Sequence, residues 1–540
     1  MKTIFFNGNI ITMDKNQPYV DSMIVEEHKF IFAGKYNDAM KLIGQKDEMV
    51  DLNGKTVVPG FNDSHVHLLN YGYSLTKIDC NGIKSIEEVI EKSKKYIYEN
   101  KIEADKWVCG RGWNQTHFKE GRYPNRYDLD KISTTHPMVF TRICEHVVVV
   151  NSLALKKANI DKSTDNPIGG EIERDENGEP TGVLKENARY LIYSKIPDAT
   201  IEEIKTMIVK GVNKAISYGL TSLQTDDFET FSSKNWRKIL KAYDELISEN
   251  RLPIRIYEQC LLPDVDRLKE FLSEGYRTGI GNENFKIGPL KLLTDGSLGM
   301  NTAYLDEPYS DDPNSKGISV FSQEKLDELS STAVKGGMNL VFHAIGDGAI
   351  NMCLKSFEKA RKISSIKDNR FGLIHIQILS ESIINKFKEL NVVAYMEPIC
   401  INTDLYIAES RVGKERMKTS YIYKRLCDEG LNICISSDCP VDSLNPMHSI
   451  YVATNRKDYN GYPNEGWIME EALSVEEALY GLTLGGAYAS YEENIKGSID
   501  YGKLADFIII SDDIMNIDKK DIQDIKVEAT YLGGKKVYSI

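Results

Sequence analysis

No stretch of this chain approaches the roughly 20 consecutive apolar residues that a bilayer-spanning helix requires, so no transmembrane helix is expected. The opening segment, Met1–Asn9, is apolar over too few residues for a secretory leader and is expected to form a first strand with an Asn7-Gly8 turn. No two cysteines stand as C-x-x-C. The 9 cysteines are scattered and odd in number, which argues against a disulfide framework and for reduced thiols in the cytoplasm. Basic clusters and low-complexity tracts are also missing. With a formal net charge of −13, non-specific binding to nucleic acid or to an anionic membrane is disfavoured. What is present, 41% hydrophobic and 27% charged residues over 540 positions, is the composition of a soluble globular protein too long for one simple core, so two or three domains are expected.

Both ends of the chain are β-rich. Ile4–Phe6, Ile10–Met13, Ser22–Val25 and Phe30–Gly34 are strand-like runs near the start. Ala505–Ile510 and a hairpin over Ala529–Tyr538 with a Gly-Gly turn lie near the end. The economical reading is one β-sandwich domain built from both termini, residues 1–57 and 489–540. The middle alternates strand and helix. Strands are expected at Val57–Phe61, Thr221–Gln224, Ile254–Gln259, Lys286–Leu293, Leu340–Phe342, Gly372–Ile374, Val392–Tyr395 and Ile433–Ser436. Amphipathic helices such as Ile201–Tyr218, Asn235–Glu249 and Gln323–Lys335 stand between them. This is the pattern of an α/β (β/α)8 TIM barrel, here residues 58–75 and 199–488. The gap between the first two strands is too long for one helix, so residues 76–198 are expected to form an inserted α/β subdomain that leaves the active-site face and overhangs it.

Val57-Val58-Pro59-Gly60-Phe61-Asn62-Asp63-Ser64-His65-Val66-His67 is the most informative run. Residues i and i+2 of a strand point the same way, so His65 and His67 can offer ring nitrogens to one metal ion. Lys291, His343, His375 and Asp438 stand at or near the ends of later strands. One βα unit of roughly 31 residues separates His343 from His375, two separate His375 from Asp438, and one unit plus a polar loop separates Lys291 from His343. All would converge on the face that holds His65 and His67. A buried strand lysine is costly unless it has a use.

These residues resemble the amidohydrolase superfamily over nearly the whole chain, from Gly54–His67 to Gly497–Phe507. Gly110–Gln115, the stretch Arg142 to His146 leading to Asn151–Leu155, Gly182–Glu186 and Lys291 through Asp295–Gly299 are similar to its N-substituted formamide deformylase-like branch. The resemblance implies a binuclear centre. His65 and His67 would bind one ion with Asp438, His343 and His375 would bind the second, and Lys291, N6-carboxylated by CO₂, would bridge them. An unmodified ammonium has donors only and could not ligate. Zinc is the default ion, and such N/O ligands also accept manganese, iron, nickel or cobalt. The implied reaction is hydrolysis of an amide or N-substituted formamide by metal-activated hydroxide on a small-molecule substrate, with Asp438 as catalytic base. A homodimer is suggested by analogy only.

His146, Trp113 and Arg142 lie in the insertion and are candidate substrate contacts. His146 is expected to reach the site and stabilise the oxyanion or hold substrate; the alternative is a structural histidine beside Val147–Val150. Trp113 is either an aromatic wall of the pocket or a packing residue. Asp295 and Asp347 are expected to brace loops or ligands, and Asp63 to orient a ligand or its turn. A mononuclear deaminase would need a glutamate shortly after the fifth-strand histidine, where the chain has Ala344-Ile345-Gly346-Asp347. A lactone or phosphoester hydrolase stays open, and six filled ligand positions argue against a non-catalytic scaffold.

Overall fold

Short runs such as Leu340-Val341-Phe342 and Ile433-Cys434-Ile435 carry apolar side chains on both faces, the texture of a strand covered on both sides. In the computed structural model eight such strands pair side by side in parallel. They are β1 Phe61–Val66, β2 Leu220–Thr225, β3 Arg255–Leu261, β4 Phe285–Leu293, β5 Leu340–Ala344, β6 Gly372–His375, β7 Val393–Met396 and β8 Ile433–Ile435. The structure describes every residue except Glu145, which falls inside the Arg142–His146 stretch. Two compact units result, Met1–Asn70 with Ile208–Ile540, and Tyr71–Met207. Among the described residues no helix is long and apolar enough to cross a membrane.

The barrel is nearly closed. No ladder joins β8 to β1; the seam is carried just past the ladder by Asp438 N–H donating to His65 O at 3.0 Å and His67 N–H to Cys439 O at 2.8 Å. Asp63 Oδ1 adds a third tie, accepting from Ser437 N at 3.0 Å. The covering helices follow their sequence pattern. Trp236–Ser248 is capped by the Asn235 side chain, which accepts from Lys238 N, and buries Trp236, Ile239, Leu240, Tyr243 and Leu246 on one face.

The first barrel strand differs from the Val57–Phe61 expected. Thr56–Pro59 belongs to the terminal sheet, antiparallel to Phe507–Ile510, and β1 starts at Phe61. The apolar run therefore serves two sheets, and Gly60 is the crossing point. A Cβ on Gly60 would lie 2.3 Å from Thr221 side-chain atoms, so only glycine passes there without displacement. His65 consequently sits on β1 and His67 just beyond it.

The terminal sheet runs Lys535–Ser539, Val527–Leu532, Phe507–Ile510, Thr56–Pro59, Thr3–Ile11, Tyr19–Glu26, Lys29–Gly34, interleaving strands from both ends of the chain. Phe5, Phe507 and Tyr531 anchor it, with Phe507 and Tyr531 stacked at 4.4 Å. Asn7-Gly8 is not a turn. It lies within the single strand Thr3–Ile11, where Asn7 (φ 57°) marks a register shift between Phe6 and Ile10. The expected Gly-Gly hairpin is present, with Gly533 and Gly534 at φ 55° and 73°.

In the second unit a six-stranded sheet packs on both faces. Val147 and Val149 face the core that holds Ile86, Val89 and Ile90, while Val148 and Val150 face the one that holds Leu155. This is the two-residue alternation of a strand covered on both sides.

Candidate metal centre

Five of the expected ligands come together at the C-terminal mouth of the barrel: His65, His67, Lys291, His375 and Asp438. His343 joins them through His375, ring centroids 4.4 Å apart. His65 and His67 form a similar pair at 5.0 Å, and His65 and His375 link the pairs at 6.2 Å. Ligand atoms of His65, His67 and Asp226 lie within 4.8 Å of one another, as do those of His65, His375 and Asp438, so His65 belongs to both groups.

Each histidine has one ring nitrogen already engaged, which leaves the other for the centre. Gln259 Nε2 donates to Ser64 O at 3.0 Å, so its Oε1 faces His65 Nδ1 at 2.8 Å and makes that nitrogen the donor. Asp226 Oδ1 meets His67 Nδ1, and Glu397 Oε2 meets His375 Nδ1. For these three the nitrogen left for the centre is Nε2, which in His65 meets Lys291 Nζ and in His67 meets Asp438 Oδ1. His343 is turned the other way: its Nε2 faces Asp295 Oδ1 and Gly296 O, each at 3.2 Å, which leaves Nδ1. Asp295 also accepts from Tyr304, Ile345 and Gly346 backbone N–H groups, so it braces the loop and the ligand together. Asp347 braces a loop, accepting from Asp306 N at 2.9 Å.

The donor set fits divalent cations. Asp438 Oδ1 is 2.9 Å from His67 Nε2 and 3.4 Å from His65 Nε2, yet it is buried without a hydrogen bond, as is Asp226 Oδ2. Buried carboxylate oxygens set against imidazole nitrogens need a proton or a cation between them, and a divalent ion that displaces the proton would complete the set. Imidazole nitrogens and carboxylate oxygens suit zinc and its neighbours.

The charges support the same reading. Lys291 is fully buried, 3.1 Å from His65 Nε2 and 3.8 Å from Asp226 Oδ2. Burial pulls its ammonium below the ordinary lysine range against the opposing pull of Asp226, Asp438 and Glu397. Burial opposes charge on Asp438, but the hydrogen-bonding reach of His65 and His67 and the nearby imidazoles hold its carboxyl well below the usual range. Burial likewise works against a charged His67, but Asp226 and Asp438 raise it to about 10. Burial, followed by the influence of His343, drives His375 well below the ordinary imidazole value. Burial pushes Glu397 well above the carboxylate range, helped by Asp438 and Asp442.

Backbone strain gathers at the same place. His375, Ile376 and Asp438 adopt left-handed φ values of 77°, 47° and 54°, conformations that cost about 1–3 kcal/mol each and persist where the surroundings over-determine them.

The other expected contacts lie in the second unit. Trp113 is fully buried in that unit's core, its Nε1–H donating to Phe140 O at 2.9 Å and its ring beside Phe118 and Tyr123. Arg142 donates to Gln115 Oε1 at 2.8 Å and Asn114 Oδ1 at 3.3 Å. His146 is exposed and pairs with Glu186 at 2.9 Å. Sequence reasoning missed Asp226, Gln259 and Glu397. Their signal was position: each is a polar residue at or beside the C-terminal end of a predicted barrel strand, the same rule that found the ligands.

A family model described as "Amidohydrolase family" matches residues 48–538. A curated relative, "Putative amidohydrolase YtcJ" of Bacillus subtilis, is 31% identical over 100% of this chain and 99% of its own. "N-substituted formamide deformylase" of Arthrobacter pascens is 25% identical over 98% of this chain and 97% of its own. A crystal structure of an uncharacterized metal-dependent hydrolase from Pyrococcus furiosus superimposes with a TM-score of 0.78 at 29% identity, covering 96% of this chain and all of that one.

Proposed function

The chain belongs to the amidohydrolase family, and we propose that within it the protein hydrolyses an amide-type carbon–nitrogen bond, of the N-substituted formamide kind, at a two-ion centre. The observation that carries this reading is the set of four histidines, each with one ring nitrogen engaged from behind and the other left for the centre, around buried Lys291 and Asp438. The likeness to a formamide deformylase over nearly the whole chain supports the choice of bond.

His65, His67 and Asp438 would hold one ion and His343 and His375 the other. Lys291 would bridge them after carboxylation: the lone pair of the neutral amine forms a C–N bond to CO₂, and an N–H proton leaves to water. Burial favours the neutral amine that this step needs. Bound divalent ions, zinc by default, would supply Lewis acidity and a water of lowered pKa. Asp438 takes the proton of the attacking water and delivers it to the departing nitrogen; its two oxygens let one side chain ligate and carry a proton.

Elemental analysis of protein purified without added metal or chelator, followed by a screen of amides and N-substituted formamides, tests the reading. Close to two transition-metal ions per chain with turnover of a formamide or amide is expected. One ion with release of ammonia from an aminated ring would replace it with a deaminase.

A further inference from the structure

Asp226 and Glu397 ligate nothing in the assignment above, yet both are buried at the mouth of the barrel. Asp226 follows β2 directly and Glu397 follows β7. Each reaches one ligand histidine at Nδ1: Asp226 meets His67 and Glu397 meets His375. The histidines they meet belong to different pairs, His65–His67 and His343–His375. His65, which stands in both ligand groups, is held instead by the neutral amide of Gln259. The shared histidine therefore has an uncharged partner, and each unshared one of these three has a carboxyl group.

A carboxyl hydrogen-bonded behind an imidazole fixes the ring's tautomer and orientation and raises the basicity of the opposite nitrogen. The effect is local, because it passes through one ring to one ion. Two ions of charge +2 also need four negative charges for balance. Asp438 and a carboxylated Lys291 would supply two, and Asp226, whose carboxyl is held below the usual range, would add a third. Asp226 Oδ2, buried without a hydrogen bond and 3.8 Å from Lys291 Nζ, stands where such balance is needed.

We infer that Asp226 and Glu397 are positioning residues, each governing retention of a different ion: Asp226 the one held through His67, and Glu397 the one held through His375. This rests on the two-ion reading. The test is zinc release from the full-length zinc-loaded protein into a chromophoric chelator, for wild type, Asp226→Asn, Glu397→Gln and the double variant. Wild type is expected to release two zinc ions in two resolvable steps. Each single variant should weaken one step, and a different one, by about 10–100-fold; the double variant should weaken both. The zinc-stripped single variants should stay folded at the assay temperature, Asp226→Asn melting somewhat below wild type because it also loses its pair with His67. If Glu397→Gln or Asp226→Asn is unfolded at that temperature, Glu397→Asp or Asp226→Glu is read in its place and should shift the same single step. Release curves that superimpose on wild type, or two variants shifting the same step, would overturn the inference and leave the two-ion centre standing. A wild type that holds one zinc would overturn both.

Discussion

His67 carries a proton in the metal-free protein well into the alkaline range, because Asp226 and Asp438 face it from two elements. Its unfolded value is about 6.5, so the folded state binds this proton more tightly than the unfolded state. The stabilisation is full below about 6.5 and is lost as pH rises through about 10. Asp226 works in the opposite sense: its carboxyl is held down, burial being outweighed by His67, so its contribution is lost as pH falls through its lowered value. Metal must displace the His67 proton. Zinc affinity of stripped protein is therefore expected to climb with pH, on the order of tenfold per unit between about 6.5 and 10 for this one proton; competition titrations across that range measure it, and a flat profile would contradict the assignment. Lys291→Ala is expected to lose most bound metal and activity and to regain part of both when a short carboxylic acid is supplied with metal. Metal content equal to wild type would remove Lys291 from the ligand set. At this scale the residues that gather at the barrel mouth were legible in the sequence, because His65, His67, Lys291, His343, His375 and Asp438 stand out as metal-binding types at strand ends. Asp226, Gln259 and Glu397 were not, since an acid just after a strand reads equally well as a loop residue, and an amide within one as a structural hydrogen-bonder, until the ring each faces is known.

Helices were legible almost to the residue: Gln323–Lys335 is helical over the range its pattern predicts, with Ser322 capping it by accepting from Lys325 N. Strands were harder where one apolar run feeds two sheets. Val57 and Val58 read as barrel and pair as terminal sheet, because period and hydrophobicity say that a strand is buried but not against what. Asn7-Gly8 failed for a related reason: a left-handed residue is needed both in a tight hairpin and in a bulge, and only the pairing partner decides. Gly60 is where the element-scale reading can be tested. Gly60→Ala puts a Cβ 2.3 Å from Thr221 and should destabilise by about 1–3 kcal/mol. A urea midpoint shifted by that amount, and partly restored by adding Thr221→Ser, is the expected result; an unshifted midpoint would show that the two strands separate freely at Gly60.

Across the larger unit, the barrel and the terminal sheet are tied by a buried ion pair. Arg255 of β3 grips Asp506 with two bonds, Nε to Oδ2 at 2.6 Å and Nη2 to Oδ1 at 2.9 Å, and Asp506 also receives Gly533 N at 2.8 Å. The backbone carbonyl of Asp506 accepts from Gly60 N, so the pair sits at the crossing point between the sheets. Arg255→Leu strands a carboxylate in the interior and should cost about 3–5 kcal/mol, whereas adding Asp506→Leu should recover much of it; chemical denaturation of the two variants reads the difference. The seam between β8 and β1 has a consequence of another kind. His65 and His67 leave the ribosome early, but Asp438, which closes on them, follows some seven-tenths of the chain later. A nascent chain with most of its barrel already made still offers only a partial set of ligands to a passing ion. On this assignment the ion of His65 and His67 would find its full set of ligands only when synthesis has nearly finished, after the set for its neighbour is already made.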